Sequence, residues 1–174
     1  MINNNFILRG ITPSDYPSLM QWRNDPRIRS YMYTQHIITT EEHQSWVKKI
    51  TTDDSYHPLI LEFNNKLLGF VNIHQTARGG IADWGFYISP DAPKGTGSKL
   101  GKQALDYAFN KLDLHKICGQ ALDFNEASKR FHKRFGFKKE GILEQHHFDG
   151  QKYHNVISFG LLAHDYRLII NNEI

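Results

Sequence analysis

The chain has 174 residues, 40% of them hydrophobic, enough for one core that buries roughly 70% of the surface an unfolded chain exposes, without disulfides. Its net charge of +3, from 21 Lys plus Arg against 18 Asp plus Glu, is too mild and too dispersed to argue for a nucleic-acid binder. The sequence holds no apolar run near the roughly 18 residues that span a bilayer, no basic and apolar leader in Met1 to Asn5, and one cysteine, so a single cytoplasmic domain over 1–174 with no membrane partner is expected.

In chain order, Phe6 to Gly10 reads as an opening strand. Thr12-Pro13-Ser14-Asp15 then gives a helix start with an N-cap, proline at the first helical position and an acid in the first turn, and that helix runs to about Asn24. Thr39-Thr40-Glu41-Glu42 has the form of a capping box and opens a second helix carrying His43, Trp46, Val47 and Ile50. Tyr56 to Phe63 and Lys66 to His74 make a hairpin about Asn64-Asn65, extended by a strand over Ile81 to Ser89. Leu100, Ala104, Leu105, Ala108, Phe109 and Leu112 share one face of a third helix. A short strand over Lys116 to Leu122 follows, in which Cys118 reads as a packed residue and not a catalytic thiol. The basic segment from Asn125 reads as a fourth helix, leading into a strand that begins near Phe137. Gln145 to Asp149 and Tyr153 to Leu162 form a last hairpin, with Asp149-Gly150 as its tight turn.

Between the third strand of the meander and the third helix lies Lys94-Gly95-Thr96-Gly97-Ser98, followed by Lys99. Backbone amides at a helix start lack intrahelical partners and the peptide dipoles favour negative charge there, so this turn suits a phosphate or diphosphate. It is not a P-loop, because Lys99 comes only two residues after Gly97 and leads into Leu100. It is a poor dinucleotide fingerprint as well, since position 100 is leucine where a third glycine belongs.

A second segment decides between the remaining options. Asn125, Ser128, Phe131, Gly136 and Phe137 follow the spacing Asn-x-x-Ala/Ser-x-x-Phe/Leu ending in Gly-Phe, and Gly95 and Gly97 match the small positions of Gln/Arg-x-x-Gly-x-Gly/Ala. In that combination the chain resembles the GNAT N-acetyltransferases. Ala92 stands where that family carries Gln or Arg, and His132 where it often carries tyrosine. The resemblance implies an α+β fold in α/β/α layers, with a mixed, mostly antiparallel sheet of about seven strands, splayed in the middle and flanked by about four helices. It implies acetyl-CoA as co-substrate, with a direct attack of an amine on the thioester and no metal; the ten histidines are scattered. Lys94, Gly95, Thr96, Gly97, Ser98 and Lys99 are then the diphosphate loop, and Asn125, Ser128 and Phe131 line the pantetheine arm. The backbone N–H near Tyr87 or Ile88 donates to the thioester oxygen as negative charge develops there.

For proton transfer, His132 and Ser128 are the candidates to protonate the departing thiol. Asp83 and His74 are the candidate bases, with Asp83 sharing a face of its strand with Gly85 and Tyr87 unless a bulge intervenes. The acceptor side is read from the first two helices and their surroundings: Arg23, Asn24, Arg29, Met32, Tyr33 and His43, together with His74 and Trp84. These residues resemble a narrower group, the nucleotide-sugar N-acetyltransferases of pseudaminic acid biosynthesis, which acetylate the 4-amino group of a UDP-linked 4-amino-4,6-dideoxy-N-acetyl-altrosamine. Arginines suit the phosphates and the aromatic rings suit uracil or a sugar face. A homodimer is kept open as the assembly. Two rival readings stand beside this one: a ribosomal-protein-type N-terminal acetyltransferase, supported by Ser128 and the Ala82-Asp83-Trp84-Gly85-Phe86 run, and a non-catalytic acyl-CoA sensor, suggested by Ala92 and His132.

Overall fold

The computed structural model describes residues 6–172, so the leader reading of Met1 to Asn5 lies outside it. Seven strands form one sheet in the order β1-β2-β3-β4-β5-β7-β6. They are β1 (Phe6–Gly10), β2 (Tyr56–Phe63), β3 (Lys66–Ala77), β4 (Ile81–Ile88), β5 (Lys116–Leu122), β6 (Lys138–Phe148) and β7 (Tyr153–Leu162). The helices are α1 (Tyr16–Asn24), α2 (Pro26–Arg29), α3 (Thr40–Thr52), α4 (Thr96–Asp106), α5 (Glu126–Arg134) and α6 (Ala163–Asn172). Pairing is antiparallel for β1 with β2, β2 with β3, β5 with β7 and β6 with β7, and parallel for β4 with β5. The parallel pairing is short, matching Ile81, Ala82 and Asp83 to Lys116, Ile117 and Cys118.

Six helices form where about four were expected. Asp25 accepts from the amide of Arg27 with Pro26 at the first position, which is enough to start the single turn of α2. The other addition is α6, which brings Tyr166 into the core. The last hairpin also differs: β6 is continuous from Lys138, and the loop spans Asp149 to Lys152 in place of a two-residue turn, because the Asp149 carboxylate accepts from the amides of Gln151 and Lys152. The Asn64-Asn65 turn forms as read, with both residues at positive φ (50° and 61°).

The described residues group into two compact units, 6–74 with 85–105, and 75–84 with 106–172. In the first, Leu19, Trp22, Ile28, Ile50, Ile60 and Phe70 form the core, with Met32, Trp46 and Tyr87 packed on it. On the other face of β3, a β-carbon on Gly69 would come within 3.0 Å of Ile88 Cδ1 and 3.3 Å of Leu100 Cδ2, so β4 and α4 close over that glycine. In the second, α5 ends in a Schellman cap: Gly136 takes φ +80°, its amide reaches Lys133 O at 3.1 Å, and the Phe137 amide reaches His132 O at 3.0 Å. The Gly-Phe pair of the sequence pattern is therefore a helix terminator.

The entry to α1 is fixed by Asp15, 2% exposed, which accepts from Thr12 N at 2.7 Å, Thr12 Oγ1 at 3.0 Å and both Arg9 terminal nitrogens at 2.8 and 3.0 Å. Burial opposes its charge, but these bonds outweigh it and hold the carboxyl below its ordinary value of 3.8. Asp15→Ala should cost about 2–3 kcal/mol in urea unfolding, since it strands Arg9 and the Thr12 amide. A loss below about 0.5 kcal/mol would show that the cap does not anchor β1 to α1.

Candidate active site

Three features relevant to acyl transfer lie in the first unit. The first is the turn into α4. Gly95 has φ +92° and is exposed, a conformation other residues resist. Buried Thr96 donates its hydroxyl to Pro93 O at 2.7 Å, and the amides of Thr96, Ser98 and Lys99 turn back on Pro93 O, Gly95 O and Gly95 O. Thr96 therefore shapes the loop from inside, and the amides of Lys94, Gly95 and Gly97 are the ones left to meet an anion. The Lys99 ammonium, read from the sequence as part of the diphosphate loop, lies 5.9 Å from the centre of the Phe6 ring and is directed at β1.

The second feature is the end of β4. Tyr87 packs its ring 5.2 Å from Phe70, and Ile88 lies against Gly69 on the opposite face. Tyr87 and Ile88 therefore face opposite sides of the sheet. Ser89 N bonds Leu68 O at 2.9 Å, which ties the strand end to β3.

The third is a polar cluster beside the aromatic floor formed by Trp46, Phe70 and Tyr87. Arg23 donates to Thr34 O at 2.7 Å, Arg29 to Gln35 O at 3.0 Å, and Asn24 clamps Ile38 through both its carbonyl and its amide at 2.8 and 2.9 Å. Three side chains expected to meet substrate thus also hold the segment from Tyr31 to Thr39 in place. Among the described residues, neither Arg23 nor Arg29 has a carboxylate partner, and Arg23 Nη1 is buried without an acceptor. Burial lowers the Arg23 pKa, as does neighbouring Arg29, while Tyr87 raises it. Met32 packs on the core and Tyr33 is half exposed. His43 is 6% exposed, 5.4 Å from Trp46, with Nε2 buried and unpartnered. Asn72 Oδ1 is a third buried orphan, on β3 two residues from Phe70. The sequence reading missed Asn72; its signal is a lone amide between Val71 and Ile73. His74 is stacked on Tyr56 at 3.9 Å.

The second unit holds the remaining candidates. Asn125 accepts from Ser128 N at 3.0 Å and so caps α5. Asp83 is exposed on β4, paired with half-buried Cys118, whose thiol burial pushes up above its ordinary value and out of the reactive range. Trp84, read as an acceptor contact, is instead a core residue: its ring stacks 5.1 Å from Phe137 and lies 5.9 Å from Phe131. His132 is 1% exposed, stacked on Phe159 at 4.7 Å. Lys129 is engaged by Glu126 and by Asp123 O. Among the described residues no group of three or more His, Cys, Asp or Glu side chains is placed to hold a metal.

A model of the acetyltransferase (GNAT) domain matches residues 5–138. The chain belongs to the GNAT acetyltransferase family. A solved structure of this fold, the Vibrio cholerae spermidine N-acetyltransferase in complex with CoA and spermine, superposes with a TM-score of 0.87 at 25% identity, covering 95% of this chain and 99% of that one. The prophage-derived N-acetyltransferase YokL of Bacillus subtilis is 26% identical over 94% of this chain and 93% of its own length. The acetyltransferase PseH of Campylobacter jejuni is 26% identical over 68% of this chain and 74% of its own length. The GNAT chain is thus an enzyme, an acetyl-CoA-dependent N-acetyltransferase, and no described helix is long and apolar enough to cross a membrane.

Burial lowers the pKa of His43, His57 and His132 from the ordinary 6.5. The unfolded chain takes up these protons first, so between 6.5 and the lower folded values the unfolded state binds more protons and stability is lost as pH falls. The urea midpoint should drop between pH 7.5 and 5.5, and His132→Gln should make that drop shallower. An equally steep drop in the variant would show that His132 does not contribute to it.

Proposed function

We propose that this enzyme, one acetyltransferase domain over its whole length, acetylates the amino group of a nucleotide-linked amino sugar. The best-fitting acceptor is the 4-amino group of a UDP-linked 4-amino-4,6-dideoxy-N-acetyl-altrosamine. The observation that carries this is the charge at the acceptor cluster: Arg23 and Arg29, without a carboxylate partner among the described residues, beside the Trp46, Phe70 and Tyr87 floor. Two uncompensated guanidiniums favour a diphosphate, and the rings favour uracil and a pyranose face. The similarity to PseH points the same way. The similarity to a spermidine N-acetyltransferase points to a polyamine instead. A polyamine brings several positive charges, and each faces a repulsion of about 4 kcal/mol per guanidinium at 4 Å near a protein surface.

The chemistry follows from the first unit. Acetyl-CoA lays its diphosphate on the amides of Lys94, Gly95 and Gly97 and its thioester along the end of β4, where the amide of Tyr87 or Ile88 meets the carbonyl oxygen. By family likeness, Asn125 and Ser128 serve the pantetheine arm. A sugar amine next to electronegative substituents is a weak base, so a neutral fraction is present near pH 7 without a strong general base. The amine attacks the carbonyl carbon, the negative charge that develops on the thioester oxygen is held by the β4 amide, and the C–S bond breaks as the amine's proton passes to the departing thiolate.

Two measurements test the reading. Thiol release from acetyl-CoA should appear with the UDP amino sugar and stay at background with spermidine and with a ribosomal-protein peptide; turnover on spermidine alone would overturn the acceptor, and none on any amine would favour a sensor. Arg29→Ala should raise KM for the sugar by about tenfold with kcat little changed. For the cofactor loop, Gly95→Ala should weaken acetyl-CoA binding by about tenfold in calorimetry, because its φ of +92° is costly for alanine. Unaltered affinity would remove that loop from the cofactor site.

A further inference from the structure

His132 stands where the family often carries a proton-donating tyrosine, yet its surroundings assign it different work. Trp84 Nε1 lies 3.2 Å from His132 Nε2. An indole N–H can only donate, so Nε2 must be the lone-pair nitrogen. The proton then sits on Nδ1, which is 2.8 Å from Ser128 O, one helical turn back. Both ring nitrogens are thereby committed, and the imidazole is neutral in a single tautomer. Aromatic neighbours close the remaining sides: Phe159 stacks at 4.7 Å, Phe137 meets the ring edge-on at 5.0 Å, and Phe131 is 5.9 Å away. Burial lowers the imidazole pKa, partly offset by the bond to Ser128, in keeping with a ring that stays uncharged.

The location of this bond gives it a purpose. It joins β4 to α5 across β5 at Gly119, where a β-carbon would fall on His132 Nε2 and lie 2.8 Å from Trp84 Nε1. Gly119 is the first β5 residue beyond the parallel pairs that end at Asp83 and Cys118, and Trp84 is the first such residue of β4. The bond therefore sits at the point where pairing between the two strands stops. His132 is also third from the end of α5, and its own carbonyl receives the Phe137 amide of the Schellman cap, so the ring is anchored at a rigid helix end.

We infer that the Trp84–His132 bond over Gly119 is a latch that fixes where β4 departs from β5, and that His132 is a positioning residue acting through Trp84, not the acid of the reaction. This rests on reading the end of β4 as the thioester strand. A misplacement of the donor amide by about an ångström costs on the order of a hundredfold in rate, so breaking the latch acts on kcat.

The test combines a spectroscopic and a kinetic arm. In long-range proton–nitrogen spectra of the wild-type enzyme at pH 7, His132 should show the Nδ1–H tautomer, and the Trp84 indole resonance should shift in His132→Phe. With acetyl-CoA and whichever amine turns over, Trp84→Phe, His132→Phe and Gly119→Ala should each lower kcat by about tenfold or more. The Trp84→Phe/His132→Phe double variant should be no slower than the slower single, because one bond is lost only once. His132→Gln, which can still accept from the indole, should recover much of the rate, and the shape of the pH profile should persist in every variant. An Nε2–H tautomer in the wild type would overturn the inference even if the variants fail to fold. So would a His132→Phe loss that removes an ionisation from the kcat profile while Trp84→Phe keeps full rate. A latch confirmed by spectra in a protein that turns over normally without it would overturn the inference as well, whereas the thioester reading of β4 fails separately if acetyl-CoA leaves the Tyr87 and Ile88 amide resonances unshifted.

Discussion

The constraint on which the rest of the proposed site depends is the way the chain enters α4. A helix start presents amides that nothing in the helix can satisfy, and here the preceding turn is bent by Gly95 at positive φ and locked from within by the Thr96 hydroxyl on Pro93 O. The same helix buries Leu100 against β3 beneath Gly69, so the direction of its axis is set by the core of the first unit. A diphosphate placed on that start is held by backbone, which explains how Ala92 is tolerated where the family has Gln or Arg: one side-chain contact is missing while the amide cradle is not.

Charge separates the acceptor reading from the cofactor reading. Arg9 and Arg27 are each neutralised by carboxylates, Asp15 and Glu62 for one, Asp25 and Asp91 for the other. Among the described residues, Arg23 and Arg29 are instead bonded to backbone carbonyls of the segment they support, while Arg23 Nη1 keeps no acceptor and neither charge meets a carboxylate. The same two arginines thus order this segment and supply the positive charge that the proposed anionic acceptor would meet.

Much of the fold was legible because its signals are local. Capping residues at Thr39 and Asn125, the Asn64-Asn65 turn and the Leu100, Ala104 and Leu105 face of α4 each depend on a few neighbouring side chains and formed at the expected place, whereas Ala108 and Phe109 of that face lie on a π-helical turn, Tyr107–Lys111, that follows α4. The short α2 and the four-residue loop after β6 were missed because one carboxylate, at Asp25 and at Asp149, supplies a hydrogen bond that periodicity does not register. The bend into α4 was readable from its glycines, and Gly95 takes the positive φ they allow. The chemistry of His132 was not: whether that residue faces substrate or core is set by Trp84, 48 positions earlier, and by the absence of a side chain at Gly119. Asn72 was hidden for the same reason, since an orphaned buried oxygen exists only in three dimensions. A glycine inside a strand pattern, as at Gly119, was the one sequence mark of a close approach.

The most direct measurement compares the affinity of the purified enzyme for acetyl-CoA with its affinity for acetyl-pantetheine, which shares the thioester and lacks the diphosphate. If the α4 entry grips the diphosphate, acetyl-CoA binds at least a hundredfold more tightly and the difference shrinks as salt is raised. Equal affinities for the two compounds would contradict the account at its base.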